Sequence, residues 1–350
     1  MKSRDCWTIQ NGEIKPCANP SREFRSLVSM HTHSNHSVEK MRPLDSVMNL
    51  WFMAPLRAVV RRAFGLHRVP DLKYADLWYN PPYSPEEVLR METESVRALG
   101  FDYVQLAITD HDEISGAIEL RQRRPAEAHR IALGEELSVR YEGHLFHMGI
   151  TGFPETNVAE THAAIQSAQR EGRLDDMFDL LKAADCLVVL NHPLIPWSKG
   201  DAHATALSLL KRYGSFIHAL EFNGMRGHKE NAAVLALARH VNKPVVGGGD
   251  SHLLLASAIV CGSSTDAYAD FVQEVRSGRV VPVIKSDYFA PMKWKLFLRT
   301  LHFMAHYRQI CHFRGQPVAT MLEHKPVLLD PVGKVARGFL NLTFALGLAR

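Results

Sequence analysis

Residues 26–34 read Ser26-Leu27-Val28-Ser29-Met30-His31-Thr32-His33-Ser34. The first five lean apolar and predict a strand. Alternate side chains of a strand share a face, so His31 and His33 project together, about 6–7 Å apart along the backbone. Two imidazoles so placed can approach one metal ion, and they can equally be ordinary strand histidines. What decides between the two is whether the rest of the chain supplies further ligands.

Working outward, residues 84–285 alternate in type. Ser84-Pro85-Glu86-Glu87 is an N-cap followed by proline and acidic residues, predicting a helix to about Leu99 that stops at Gly100. Strand Tyr103–Thr109 ends in Asp110-His111-Asp112, and strand Ile131–Leu133 in Gly134-Glu135-Glu136. Strand Cys186–Leu190 ends in Asn191-His192-Pro193, and strand Pro244–Val246 in Gly247-Gly248-Gly249-Asp250-Ser251-His252. Further strands are predicted over His144–Ile150, Ile217–Phe222 and Ala258–Cys261, with helices near 117–123, 156–170, 174–184, 203–212, 229–240 and 267–277. Such alternation predicts a parallel sheet, and its many repeats predict a closed β/α barrel. His31, His33, His111, Glu136, His192, Asp250 and His252 all fall at or just past the end of a predicted strand. In a β/α barrel that is the face on which strand ends build active sites.

Composition bounds the rest. A chain of 350 residues, 46% of them hydrophobic, has ample core for one large barrel or two domains. A net charge of +4 is too mild to imply nucleic-acid binding and suits a phosphate-bearing substrate as well. Cys6, Cys17, Cys186, Cys261 and Cys311 form no C-x-x-C pair, which predicts reduced thiols and a cytoplasmic location. Residues 1–25 are polar and mixed in charge, an irregular lead-in with turns at Asn11-Gly12 and Asn19-Pro20 and no signal peptide; no apolar run reaches membrane-spanning length. Met48–Leu66 has helical apolar spacing with Arg57 and Arg61 on another face. It is expected to pack on its own domain, membrane-surface contact being the lesser reading. The tail 288–350 mixes aromatics, leucines and basic residues and predicts helices packed on the barrel.

The ordered motifs His31-Thr32-His33, Thr109-Asp110-His111-Asp112, Gly134-Glu135-Glu136, His147, Asn191-His192-Pro193, Glu221-Phe222-Asn223 and Gly249-Asp250-Ser251-His252 resemble those of the PHP superfamily, named for its polymerase and histidinol phosphatase members. The resemblance covers about 26–37 and 84–285. It implies a distorted (β/α)7 TIM-like barrel over 26–287; against it, about 38–83 stands as a helical insertion after strand 1, and 288–350 is a C-terminal helical extension outside the resemblance. It also implies two or three divalent ions. His31, His33 and Asp250 would hold one; Glu136 would bridge to a second held by His147 and His192; His111 and His252 would serve a third, completed by His36, by Glu39 or by neither.

Nitrogen and carboxylate donors without cysteine suit Zn²⁺, Mn²⁺ or Fe²⁺. Glu136, Asp250 and His252 are assigned to the catalytic step and Asp110 to a hydrogen bond from a ligand imidazole. Glu135, on the opposite strand face, is taken as structural. Arg226 is the candidate for binding substrate phosphate, with His228 and Arg140 weaker; His144, His162, His203, His302, His306 and His312 are left as structural or surface residues. The expected activity is a phosphoesterase hydrolysing a phosphate monoester, on a small molecule, nucleotide or nucleic-acid end, by metal-activated hydroxide. The alternatives are a metal-dependent hydrolase of a C–N or ester bond and a non-catalytic membrane-surface scaffold.

Overall fold

The computed structural model describes residues 6–40, 58, 62, 77–195, 200–252, 256–290, 305–306, 311–313, 316–317 and 329–345. The lead-in is not irregular throughout. Strands β1 (Cys6–Gln10) and β2 (Glu13–Cys17) form a hairpin closed by Asn11 and Gly12, at φ 53° and 75°. Two left-handed central residues match the twist of the flanking strands, and Asn-Gly adopts them at little strain.

β3 (Ser26–Thr32) is buried at every residue, as are β6 (Val104–Ile108), β10 (Leu187–Asn191) and β11 (Ala219–Asn223). Such strands are covered on both faces, which is why their sequences run apolar instead of alternating. Helices Pro85–Arg97, Ser115–Arg123, Val158–Arg170, Leu174–Ala183, Ala202–Tyr213, His228–His240 and Tyr268–Arg276 lie within a few residues of the predicted ones. The first is capped as its sequence suggests: Ser84 Oγ accepts from the Glu87 amide at 3.4 Å, and Glu87 Oε2 accepts from the Ser84 amide at 2.8 Å.

The remaining strands of this unit are β7 (Ile131–Ala132), β8 (Gly134–Tyr141), β9 (His144–Thr151), β12 (Val245–Gly248), β13 (Ile259–Ser263) and β14 (Val281–Lys285). They form a seven-stranded sheet in the order β2-β1-β14-β13-β3-β6-β7 and a five-stranded sheet in the order β12-β11-β10-β9-β8. The chain is therefore α/β, but the expected parallel sheet is mixed. β8 and β9 are joined only by Glu142 and Gly143, at φ 47° and 78°, and strands so connected must run antiparallel. Among the described residues no continuous ladder closes a barrel. The two sheets are linked by isolated parallel bridges, Thr32 with Ser251 and His111 with Glu136, carried by His33 N to Ser251 O and Glu136 N to Asp110 O, each 3.0 Å. Both sheets feed one core, in which Val28, Met30 and Ala107 meet Val189, Ala219 and Val246 beneath Phe271, Val272 and Val275 of helix Tyr268–Arg276.

A second unit comprises Ser37–Tyr83 and Pro291–Arg350. In it β4 (Glu39–Lys40), β5 (Leu77–Tyr79), β15 (Cys311–Phe313) and β16 (Gln316–Pro317) form one antiparallel sheet, and Leu329–Ala345 is a helix. Insertion and tail, read from sequence as two helical additions, thus share a sheet through pairs such as His312 with Trp78. The helix expected over Met48–Leu66 lies outside the described residues except for Ala58 and Arg62, both helical and exposed. No described helix is long and apolar enough to cross a membrane.

Phe271 is fully buried with its ring 5.6 Å from that of Tyr268. Phe271→Ala should lower the unfolding free energy by about 3–5 kcal/mol, read from denaturant titration, because the helix cannot collapse into the void without breaking its contacts to both sheets.

Candidate metal centre

His31 is the penultimate residue of β3 and His33 the first residue beyond it. Their Nε2 atoms lie 3.1 Å apart, and both rings are buried. They converge on Glu136, whose side chain is fully buried. Glu136 Oε2 lies 3.2 Å from His31 Nε2, 3.5 Å from His33 Nε2 and 3.3 Å from His111 Nδ1. Its Oε1 lies 3.5 Å from His147 Nδ1 and 3.2 Å from His192 Nε2, and accepts from Asn191 Nδ2 at 2.9 Å. One carboxylate thus has three imidazoles on one oxygen and two on the other. Asp250 Oδ1 lies 2.6 Å from His252 Nε2, 3.9 Å from His31 Nε2 and 4.0 Å from His33 Nε2. The His252 ring stacks on His33 at 4.0 Å between centroids, and His111 stacks on His33 at 4.9 Å.

The local chain accounts for this convergence. β9 runs antiparallel to β10 with His147 opposite Asn191, and Glu136, the third residue of β8, enters through the bridge to His111. Glu136 therefore does not end a strand, as its sequence suggested, because the chain restarts at Gly134. His192 and Asp250 have φ of 28° and 52°, the left-handed region that non-glycine residues rarely occupy and that tends to concentrate at functional sites.

The electrostatics follow from burial and neighbours. Burial would push the Glu136 carboxyl up, but His31, His111 and His147 outweigh it and hold it well below the ordinary range. Asp250 is held down against burial chiefly by His252. Burial lowers His31, yet Glu136 and Glu221 raise it well above an ordinary imidazole; His33 is driven well below by burial, His252 and His111. The carboxylates stay ionised and the rings divide protons unequally.

The donor set fits a divalent metal centre. Buried Glu136 Oε2 has no donor aligned to bond it although three imidazole nitrogens surround it. A cation answers such an acceptor, since carboxylate oxygens and imidazole lone pairs can all face it at once. Within the first unit, three groups bring donor atoms within 4.8 Å of one another: His31, His192 and Asp250; His31, His33 and Glu136; and His111, Glu136 and His147.

Several other expected residues have hydrogen-bond partners outside this cluster. His36 is not in this cluster: its Nδ1 lies 2.8 Å from Ser115 Oγ and its Nε2 2.9 Å from Glu119 Oε2, tying the loop to helix Ser115–Arg123. Glu39 belongs to the second unit, where its carboxylate accepts from Tyr79. Asp110 accepts from the Ser34 amide and hydroxyl at 2.6 and 2.7 Å, locking the turn after His33. Glu221 Oε1 lies 2.6 Å from His31 Nδ1, the ring nitrogen on the side away from Glu136. Neither Glu221 nor Asn191 and Asn223 received a role from the sequence, although all three stand in the motifs Asn191-His192-Pro193 and Glu221-Phe222-Asn223; a carboxylate inside the apolar-leaning run Ile217–Phe222 was a further signal. Glu135 faces away, bonded to His162 and Gln166 at 3.1 and 2.6 Å, in keeping with a structural role. Arg226 is half-buried, whereas Arg140 and His228 are exposed.

No family model and no curated protein matches the chain. Solved structures do. They include a two-domain protein from Bacteroides vulgatus containing a predicted PHP-like metal-dependent phosphoesterase (13% identity, 59% of this chain and 62% of that one, TM-score 0.42). An amidohydrolase from Chromobacterium violaceum with bound sulfate and no metal matches at 16% identity, over 49% of this chain and 83% of that one, with a TM-score of 0.38. The lesion-specific endonuclease EndoQ from Pyrococcus furiosus matches at 12% identity, over 72% of this chain and 56% of that one, also with a TM-score of 0.38.

Removing and restoring divalent ions tests the centre directly. Chelator-treated protein given Zn²⁺ or Mn²⁺ at roughly 100 times its dissociation constant should gain about 2.7 kcal/mol of stability, seen as a rise in Tm. Glu136→Ala should lose most of that gain, since both groups that include Glu136 are then incomplete.

Proposed function

We propose that the chain is a metal-dependent phosphoesterase of the PHP superfamily that hydrolyses a phosphate monoester on a small molecule, a nucleotide or a nucleic-acid end. The observation that carries this reading is the single buried carboxylate, Glu136, shared by five imidazoles with Asp250 beside them. His31, His33 and Asp250 would hold one ion, His147 and His192 a second across Glu136, and His111 with His252 a further one; Zn²⁺, Mn²⁺ and Fe²⁺ all suit these donors. Bound there, divalent ions supply Lewis acidity toward phosphoryl oxygens and a water of lowered pKa.

What the chain's own residues contribute is a dry, oriented cradle. His31, His33 and His192 have side chains 2%, 0% and 3% exposed, whereas His111 and His252 reach 15% and 13%, so substrate enters on the His111–His252 side. Arg226 follows β11 by three residues, just beyond Asn223, whose Nδ2 lies 3.2 Å from Asp250 Oδ2. Among the described residues no carboxylate pairs with Arg226, and its buried Nε has no partner. A guanidinium engaged by no carboxylate, three residues after Asn223, matches a phosphate's oxygens in geometry and charge, which favours phosphoryl over amide substrates. In this reading β3, β6 and β8–β12 form a ring, a distorted seven-stranded barrel drawn together at the two bridges. Cys17, Cys186 and Cys261 form no disulfide among the described residues, which suits a cytoplasmic, reducing setting.

The test is a substrate panel on metal-reconstituted protein: nucleotides, sugar phosphates and 5′-phosphorylated oligonucleotides against amides and carboxylic esters. Phosphate release should depend on added metal and fall to background in Glu136→Ala. Arg226→Ala should lower kcat/KM for the phosphate ester roughly 10–100-fold, the equivalent of one charge-assisted hydrogen-bonding group. Turnover of amides alone would replace the phosphoesterase reading with that of a C–N hydrolase, and metal binding with no turnover of any class would favour a binding role.

A further inference from the structure

Glu221 is a carboxylate 1% exposed at the centre of β11, flanked by Leu220 and Phe222, and among the described residues no lysine or arginine pairs with it. Burying such a group is tolerated only if its oxygens are bonded. Its partners are all donors. His31 Nδ1 lies 2.6 Å from Oε1, and Oε2 accepts from the backbone N–H of His192 and from Asn223 Nδ2, both at 2.9 Å. The second hydrogen of the Asn223 amide points to Asp250 Oδ2, 3.2 Å away, and its orientation is fixed because Asn223 Oδ1 accepts from the Met225 amide at 2.8 Å. One carboxylate on β11 therefore holds a ring from the end of β3, a backbone from the end of β10 and, through one amide, a carboxylate from the end of β12. Those three residues, His31, His192 and Asp250, are one of the groups whose donor atoms converge.

We infer that Glu221 is the positioning residue of the His31–His192–Asp250 corner, setting its metal affinity without touching the ion. This rests on the metal-dependent reading above and deepens it. With Oε2 occupied by two N–H donors, Oε1 of Glu221 meets His31 at Nδ1, which fixes the ring with Nε2 turned toward Glu136 and Asp250. Its bond to the His192 amide holds that residue in its left-handed backbone. The device extends to the neighbouring strand: a Cβ on Gly248 would fall 1.6 Å from Glu221 Oε1, so the middle residue of Gly247-Gly248-Gly249 is a glycine because the carboxylate occupies the space. Glutamine cannot stand in, since with donors on both oxygens its amide group must face one of them. Glu221 makes no contact with His111 or His147 among its hydrogen bonds, so the group formed by those two with Glu136 is outside its reach.

The experiment is a competition titration of Zn²⁺ against a chromophoric chelator, on the full chain, for wild type, Glu221→Gln and Gly248→Ala, with the metal-free Tm of each. The destabilised but remote Phe271→Ala serves as control. The expected result is that one binding event weakens about 10–100-fold in both Glu221→Gln and Gly248→Ala while a second keeps its wild-type affinity, and that Phe271→Ala changes neither. Equal affinities in wild type and Glu221→Gln overturn this inference alone. So does uniform weakening of every event in step with lost metal-free stability, the mark of a merely structural residue. A wild-type chain that binds no Zn²⁺ overturns the metal-dependent reading itself.

Discussion

Everything around the site answers to one constraint: an ionised carboxylate, Glu136, sits where water cannot reach it. In a low-dielectric interior such a charge must be paired and hydrogen-bonded or it is lost to protonation. The chain meets this with five imidazoles and the Asn191 amide. That solution creates a second problem, because the rings are packed against one another, His33 between His252 at 4.0 Å and His111 at 4.9 Å. They cannot all be charged. Hence the divergence of neighbours two residues apart, His31 held well above the ordinary imidazole range and His33 well below it, the first beside two carboxylates and the second buried among rings. A cluster of imidazole nitrogens and carboxylates with one unbonded oxygen at its centre is a donor set that fits a cation.

The same residues tie the architecture together. The two sheets are linked by the bridges Thr32–Ser251 and His111–Glu136, and each bridge either contains or adjoins candidate ligands. Three left-handed non-glycine residues stand beside these bridges and ligand candidates: Asp112 at φ 53°, His192 at 28° and Asp250 at 52°. Strain of this kind persists only where the surroundings over-determine it, and here Glu221 bonds the His192 amide while Asp112 Oδ1 takes the Ser138 amide at 2.7 Å. Site and fold are closed by one set of interactions.

The second unit has a different logic. Its sheet joins strands from either end of the chain, with β5 paired to β4 on one side and to β15 on the other. Strands of two or three residues carry almost no periodic signal, and the pairing of Leu77–Tyr79 with Cys311–Phe313 spans more than two hundred residues. Nothing local in either segment announces the other, which is why insertion and tail read as independent helical additions.

Much of the first unit was legible. Buried strands run apolar, helices begin at Ser84-Pro85 and end at Gly100, and histidines and acids recur at strand ends; these are local consequences of backbone geometry and were enough to single out His31, His33, His111, Glu136, His192, Asp250 and His252, which the structure brings together. What only the tertiary structure decided were relations between distant segments. Strand direction at β8 and β9 turned on two left-handed residues, Glu142 and Gly143, whose pair is a weaker turn signal than Asn-Gly. His36 and His33 are three residues apart and alike in sequence, yet the first is taken by Ser115 and Glu119 and the second faces Glu136. Glu221, quoted from the sequence as part of the motif Glu221-Phe222-Asn223, had no role until its partners His31 and the His192 amide, at the ends of β3 and β10, were in view. Residue type and spacing determine which chemistry is possible; which acceptor meets which donor is set by long-range packing, and short-range patterns do not encode it.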